Sequence, residues 1–166
     1  MKHLWAPWRL AYVAGEKEPG CIFCQAPAAG DDRKMLVVYR SPLAYVILNR
    51  YPYNSGHMMA VPYRHVARLD DLTHEESQAL VDLTGLAVRA LEQAMAAEGC
   101  NVGLNLGRAA GAGIADHLHI HVVPRWIGDT NYMPVLGDTK VLPQHLDETY
   151  TRLADALAAA AQVRDG

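Results

Sequence analysis

Apolar residues recur at two spacings along this chain, and the changes between them mark its elements. Short runs rich in Val, Ile, Leu and Tyr, Met35–Tyr39 and Ala44–Leu48, flank the turn-forming Arg40-Ser-Pro-Leu43 and predict a hairpin. Asn49–Gly56 (NRYPYNSG) is expected to be a long loop. His57–Val61 is the next predicted strand, stopped by Pro62, which has no N–H to donate to a ladder. From Thr73 to Ala97 the period becomes helical, with Leu80, Leu83, Ala87, Ala90, Leu91 and Ala94 forming one stripe. Thr73 with Glu76 three residues on makes a capping box, and Gly99 is the expected stop. Asn101–Asn105 and His117–Val123 read as further strands around a Gly/Ala-rich loop, and Gln144–Val163 as a second long helix after Pro143. Residues 1–20 read as an irregular arm and 25–34 as a polar loop. The order predicts an α+β fold, a mainly antiparallel sheet with one long helix and a C-terminal helix. It is one domain over 1–166: arm 1–20, core 21–142, C-terminal helix 143–166.

Composition narrows the class. With 166 residues, 51% hydrophobic and 20% charged, the chain can bury a core without disulfides. Its net charge of −3 argues against a dedicated nucleic-acid binder. No apolar run approaches the ~18 residues of a membrane span, and the start carries no secretory apolar core, so the expected compartment is the cytoplasm. Three cysteines, an odd count, make a poor disulfide framework, and Cys21-Ile-Phe-Cys24 is instead a C-x-x-C knuckle.

The segment His117-Leu-His119-Ile-His121-Val-Val123 carries the chemistry. On a strand, successive side chains alternate faces, so the three histidines point one way, about 7 Å apart, and Leu118, Ile120 and Val122 the other. A solvated strand face is the bland alternative. A Gly-rich loop before the row (Asn105 to Gly113) and Pro124-Arg125-Trp126 after it point to anion chemistry instead, because small residues let backbone N–H groups approach a phosphate. Neutral imidazole is a good nucleophile near pH 7 and can form a phosphoramidate, provided its other nitrogen donates to a fixed acceptor.

The row resembles the H-x-H-x-H signature of the histidine triad (HIT) family of nucleotide hydrolases and transferases. Val46–Arg50, Gly56-His57 and Val61-Pro62 resemble its nucleoside-binding strands. Asp116–Trp126, Trp5-Ala-Pro-Trp8-Arg9 and Gly128–Asn131 resemble a bacterial branch that includes diadenosine tetraphosphate phosphorylases. The resemblance implies His119 as nucleophile, His121 as a contact to the transferred phosphate, and His57 as the histidine that orients the row. It implies Asn49 at ribose hydroxyls, Asn105 at phosphate, and backbone contacts from Gly107, Gly111 and Gly113. It further implies a nucleotide substrate, cleavage at the α-phosphorus with water or phosphate as acceptor, no organic cofactor, and a homodimer formed through the long helix and sheet edge. Alternative readings are an adenosine phosphoramidase and a non-catalytic zinc-stabilised nucleotide-binding module. Several family members carry Gln or Ser shortly before the first His, where this chain has Gly113 and Ile114, so backbone amides, Arg108 or Arg125 are left to hold the phosphate.

A zinc ion wants four N or S ligands, and the knuckle supplies two. His65 and His117 are the candidates to complete it. Some bacterial family members look the same, which implies a structural Zn2+ on Cys21, Cys24, His65 and His117. A redox pair and plain buried thiols are the alternatives. Cys100 reads as a small core residue, and His3, His74 and His145 as surface. Asp116 either orients a histidine or caps a turn. Trp5 and Trp126 either stack on a base or pack the core, and Tyr51, Pro52 and Tyr53 are placed to flank a base.

Overall fold

The computed structural model describes residues 20–129 and 145–165. Most of the expected arm, with His3, Trp5 and Trp8, and the far end of the Gly128–Asn131 match lie outside the described residues. The elements run α1 (Ile22–Ala28), α2 (Asp32–Met35), β1 (Val37–Arg40), β2 (Ala44–Leu48), β3 (Met58–Pro62), α3 (His74–Met95), β4 (Gly99–Gly103), β5 (Ile120–Arg125) and α4 (Leu146–Asp165). The strands form one antiparallel sheet in the order β1-β2-β3-β5-β4. Among the described residues no helix is long and apolar enough to cross a membrane.

The strand pattern buries two faces unequally. Val46, Leu48, Met58, Ala60, Ile120 and Val122 meet Leu80, Leu83, Leu91, Leu153 and Leu157 from α3 and α4. Fully burying each such leucine contributes about 1.5–3 kcal/mol. On the other face a smaller cluster of Val37, Tyr45, Ile47, Met59 and Val61 sits beneath Phe23 and Ala26 of α1. Beyond α1 that face carries the histidines.

The capping box forms as expected: Thr73 Oγ1 accepts from the Glu76 N–H (3.2 Å) and Glu76 Oε2 from the Thr73 N–H (2.8 Å). The helix does not run to Gly99. It stops at Met95, with Ala96 in the left-handed region (φ +50) and its N–H on the Leu91 carbonyl, while Gly99 opens β4 opposite Arg125. β4 therefore spans 99–103 rather than the expected 101–105. Helix α1 is a second departure, since the region from 25 was expected to be loop. Pro27 lies inside α1 and has no N–H for the Phe23 carbonyl four residues back. The buried Tyr45 hydroxyl donates to that carbonyl instead, at 2.6 Å, and burial holds the phenol far above its ordinary pKa, so it stays a donor. The third departure is that β5 begins at Ile120, so His117 and His119 precede its ladder. Leu118 N–H bonds the Val66 carbonyl at 2.7 Å and continues the extended run to them.

Candidate active site and metal centre

Of the residues picked out in the sequence, His57, His119 and His121 converge at the middle of the sheet, with Asn49 and Asn105 beside them. Gly56 delivers His57. Its φ is +86, and a Cβ there would meet Met95 Sδ at 2.6 Å, so only glycine lets the 49–56 loop settle on α3 before the chain turns into β3.

Backbone groups then set each tautomer. The Tyr53 N–H can only donate, and it points at His57 Nδ1 (3.2 Å), with the Asn49 amide at 3.3 Å from the same nitrogen. Nδ1 is thus an acceptor and the His57 proton sits on Nε2. That proton faces His121 Nδ1 at 3.0 Å, which leaves the His121 proton on Nε2, 3.4 Å from the Asn105 side-chain amide, whose oxygen rather than nitrogen must then face it to accept. In His119 the order is reversed: Nδ1 lies 2.8 Å from the His117 carbonyl and must donate, so Nε2 keeps its lone pair. The His119 and His121 rings meet edge to face at 4.8 Å. Burial lowers the pKa of His119, and burial together with the neighbouring His119 lowers that of His121 to about 4. Both rings are neutral at pH 7, as a lone pair on His119 requires.

A cleft of about 540 Å³ opens at His121 and runs along β4 and β5, past Asn101, Gly103, Asn105 and Val123, to Arg125 and Asp129. Arg125 is not available for phosphate there. Its guanidinium holds the Asp129 carboxylate through Nε (2.5 Å) and Nη2 (2.8 Å), and Asn101 Oδ1 through Nη1 (2.9 Å). The paired Asp129 is held well below the usual carboxylate range. Asn54 completes this bracket by donating to Asp129 and to the Pro124 carbonyl. Gly107, Gly111 and Gly113 lie on an exposed turn before the row, where the Ala110 and Gly111 amides are spent on the Gly107 and Arg108 carbonyls. Asp116 is exposed and, among the described residues, bonds no histidine. Trp126 packs against the core, with its indole N–H on the Met95 carbonyl. Tyr53 stacks on His57, centroids 4.9 Å apart at 20°. Cys100 packs against the core from β4, and His74 and His145 are exposed, as expected.

The first histidine of the row turns to a different group. His117 Nε2 lies 2.9 Å from the Pro62 carbonyl and so carries the proton, leaving Nδ1 as a lone pair 3.3 Å from Cys21 Sγ and 3.5 Å from Cys24 Sγ. His65 Nδ1 is 3.4 Å from Cys24 Sγ, and the four donor atoms all lie within 4.8 Å of one another. Metal–sulfur and metal–nitrogen bonds of about 2.3 and 2.0 Å at the tetrahedral angle imply S···N edges of about 3.5 Å. The donor set and its edges therefore fit a tetrahedral metal, and the Pro62 carbonyl supplies the support that a ligating histidine takes on its other nitrogen. Cys21, Cys24, His65 and His117 form a site positioned to bind one.

Sequence reasoning missed Phe23, Tyr53's grip on His57, the Pro62 carbonyl and the Asn54–Asp129 bracket. Only the last carried a signal, the Arg125/Asp129 spacing.

A family model described as HIT domain matches residues 32–126. The chain is 44% identical over 163 residues to AP-4-A phosphorylase of Mycobacterium tuberculosis, covering 93% of this chain and 83% of that one. It is 36% identical over 101 residues to a bis(5'-adenosyl)-triphosphatase of Saccharomyces cerevisiae, covering 58% of this chain and 48% of that one. A Zn-bound histidine triad family protein from Mycobacterium smegmatis superposes with a TM-score of 0.71 at 26% identity, covering 87% and 97% of the two chains.

Proposed function

The chain belongs to the HIT domain family, and on that premise we propose that it cleaves a dinucleoside polyphosphate such as diadenosine tetraphosphate at the α-phosphorus. His119 is the nucleophile. A bond forms from Nε2 to phosphorus while the bond from phosphorus to the bridging oxygen breaks, and that electron pair leaves on the nucleoside polyphosphate. The leaving polyphosphate is a stable anion at neutral pH and needs little protonation. As the His119 ring gains positive charge, the His117 carbonyl accepts its Nδ1–H more strongly, so this contact favours the transition state over the ground state. His121, neutral and held by His57, donates Nε2–H to a phosphoryl oxygen, with Asn105 and the Gly107 and Gly113 amides of the turn beside it. Asn49 binds ribose. In the second step a phosphate or water oxygen attacks phosphorus and the pair returns to Nε2.

The observation that carries this reading is the His119 Nδ1 contact to the His117 carbonyl at 2.8 Å, which leaves the outward nitrogen unprotonated. The 44% identity to an AP-4-A phosphorylase supports the substrate class and favours phosphate as acceptor. The test is product analysis on diadenosine tetraphosphate. Phosphorolysis gives ATP and ADP only when phosphate is present. ATP and AMP in both conditions mean hydrolysis, and no turnover in either overturns the substrate assignment.

The metal at Cys21, Cys24, His65 and His117 is zinc in this reading, and structural: it ties the knuckle to the segment after β3 and to the start of the row. The protein acts as a homodimer, for which the edge strand β4, with Val102 half exposed, and α3 are the contact elements. Cysteines that ligate a metal rather than pair in a disulfide, and a nucleotide substrate, suit the cytoplasm.

A further inference from the structure

One hydrogen bond fixes the direction of the His119 ring but not its tilt. Rotation about the Nδ1–H···O axis would swing Nε2 sideways while keeping that bond. Two rings limit that rotation, His121 at 4.8 Å and Phe23, whose centroid is also 4.8 Å away at 47°. Phe23 also meets His117 edge-on at 5.5 Å. It is only 3% exposed, and it is held from three sides. Cys21 and Cys24 of the metal site flank it in sequence. The Cys21 carbonyl accepts from both the Cys24 and Gln25 N–H groups, at 3.0 Å each. Tyr45 clamps its carbonyl. The backbone that carries Phe23 is thus fixed on both sides and at its own carbonyl, and its ring lies against the row.

We propose that Phe23 is a positioning residue for His119: the knuckle presents its ring as a wall that sets the tilt of the imidazole and aims Nε2 at the electrophile. The kinetic part of this inference rests on His119 being the nucleophile, and the spectroscopic part does not. Positioning acts on kcat, because a misaimed nucleophile binds substrate normally and reacts slowly. A displacement of about 1 Å can cost on the order of 100-fold in rate.

The test is Phe23→Leu, which keeps most of the volume, beside Phe23→Ala. Each is assayed for kcat and KM on diadenosine tetraphosphate, and the histidine ring nitrogens are followed by 15N NMR without substrate. Phe23→Leu is expected to lower kcat about 10-fold and Phe23→Ala about 100-fold, with KM within about twofold of wild type. The His119 Nδ1–H signal should shift in both. A KM that rises while kcat holds overturns the proposal and makes Phe23 a substrate contact. Unchanged His119 resonances overturn it as well and leave Phe23 a packing residue. If Phe23→Ala does not fold, Phe23→Leu and a wild-type NOE between the Phe23 and His119 rings carry the same decision. If the wild type fails to turn over diadenosine tetraphosphate while the resonances still shift, the substrate reading fails and the positioning role stands.

Discussion

His117 and His119 stand two residues apart, both buried, and each gives one ring proton to a backbone carbonyl, yet they present opposite nitrogens. His117 donates from Nε2 to Pro62 and turns Nδ1 to two cysteines and His65. His119 donates from Nδ1 to His117 and turns Nε2 outward. The same side chain thus becomes a metal donor or a candidate nucleophile according to which carbonyl it meets. The metal end is closed by four protein donors, whereas Nε2 of His119 is left open beside His121, which lines the cleft. One extended run therefore carries a candidate metal ligand and a candidate nucleophile two residues apart.

Removing the lone pair at the open end should have the largest effect. His119→Ala is expected to lower turnover by at least about 10⁴-fold, as removal of a covalent nucleophile does elsewhere, while its far-ultraviolet circular dichroism stays that of the wild type. Retained turnover would erase the functional difference between the two histidines. At the closed end the expected loss is in stability rather than in chemistry. A metal present at about a thousandfold over its Kd contributes about 4 kcal/mol, or roughly 10 °C in Tm for a chain this size. Chelation or Cys24→Ser should lower Tm by about that amount, and elemental analysis of the wild type should find one zinc per chain. A metal-free protein of undiminished Tm would remove the anchor from the account.

A smaller effect is expected one contact away from the reactive end. His57→Ala leaves His121 Nδ1 without its donor and should slow turnover roughly 10- to 100-fold, with part of the rate recovered in His57→Gln, which keeps a donor. Equal rates in both variants would mean that His57 only fills space.

The finest distinction is in pH. Burial depresses the His121 pKa to about 4, against the reference of 6.5. Above the reference value neither the folded nor the unfolded state binds this proton, and stability is unaffected. As pH falls from 6.5 toward 4 the unfolded chain takes up the proton first, so stability declines across that window. Denaturant midpoints at pH 7 and pH 5 should show this loss, and His121→Asn should shrink it. An undiminished loss in the variant would assign the effect to other groups.

The same contrast explains what the residues alone could tell. The capping box at Thr73 and Glu76 and the alternation of the histidine row are local patterns, and both appear where the pattern put them. Two of the four candidate metal donors were legible in the C-x-x-C motif, and His65 and His117 through the resemblance to bacterial HIT family members. Helix α1 was not, because Pro27 and the small residues around it carry no helical stripe. What holds it is a hydroxyl from β2 that replaces the missing N–H. The end of α3 was misplaced because Ala96 took the left-handed turn expected of Gly99. Arg125 looked free for phosphate because its partner, Asp129, meets it only once the chain turns at Trp126. The tautomers were out of reach for the same reason, since Tyr53 N–H and Pro62 C=O are backbone groups any residue could offer, and only the sheet brings them to His57 and His117.

The central claim is that the outward nitrogen of His119 becomes bonded to phosphorus. Rapid acid-free quenching of enzyme with diadenosine tetraphosphate, followed by peptide mass spectrometry, tests it most directly. The account predicts one adenylyl increment on the peptide holding His117, His119 and His121, with fragmentation placing it on His119. An increment on His121, His57 or any residue outside the row would contradict it.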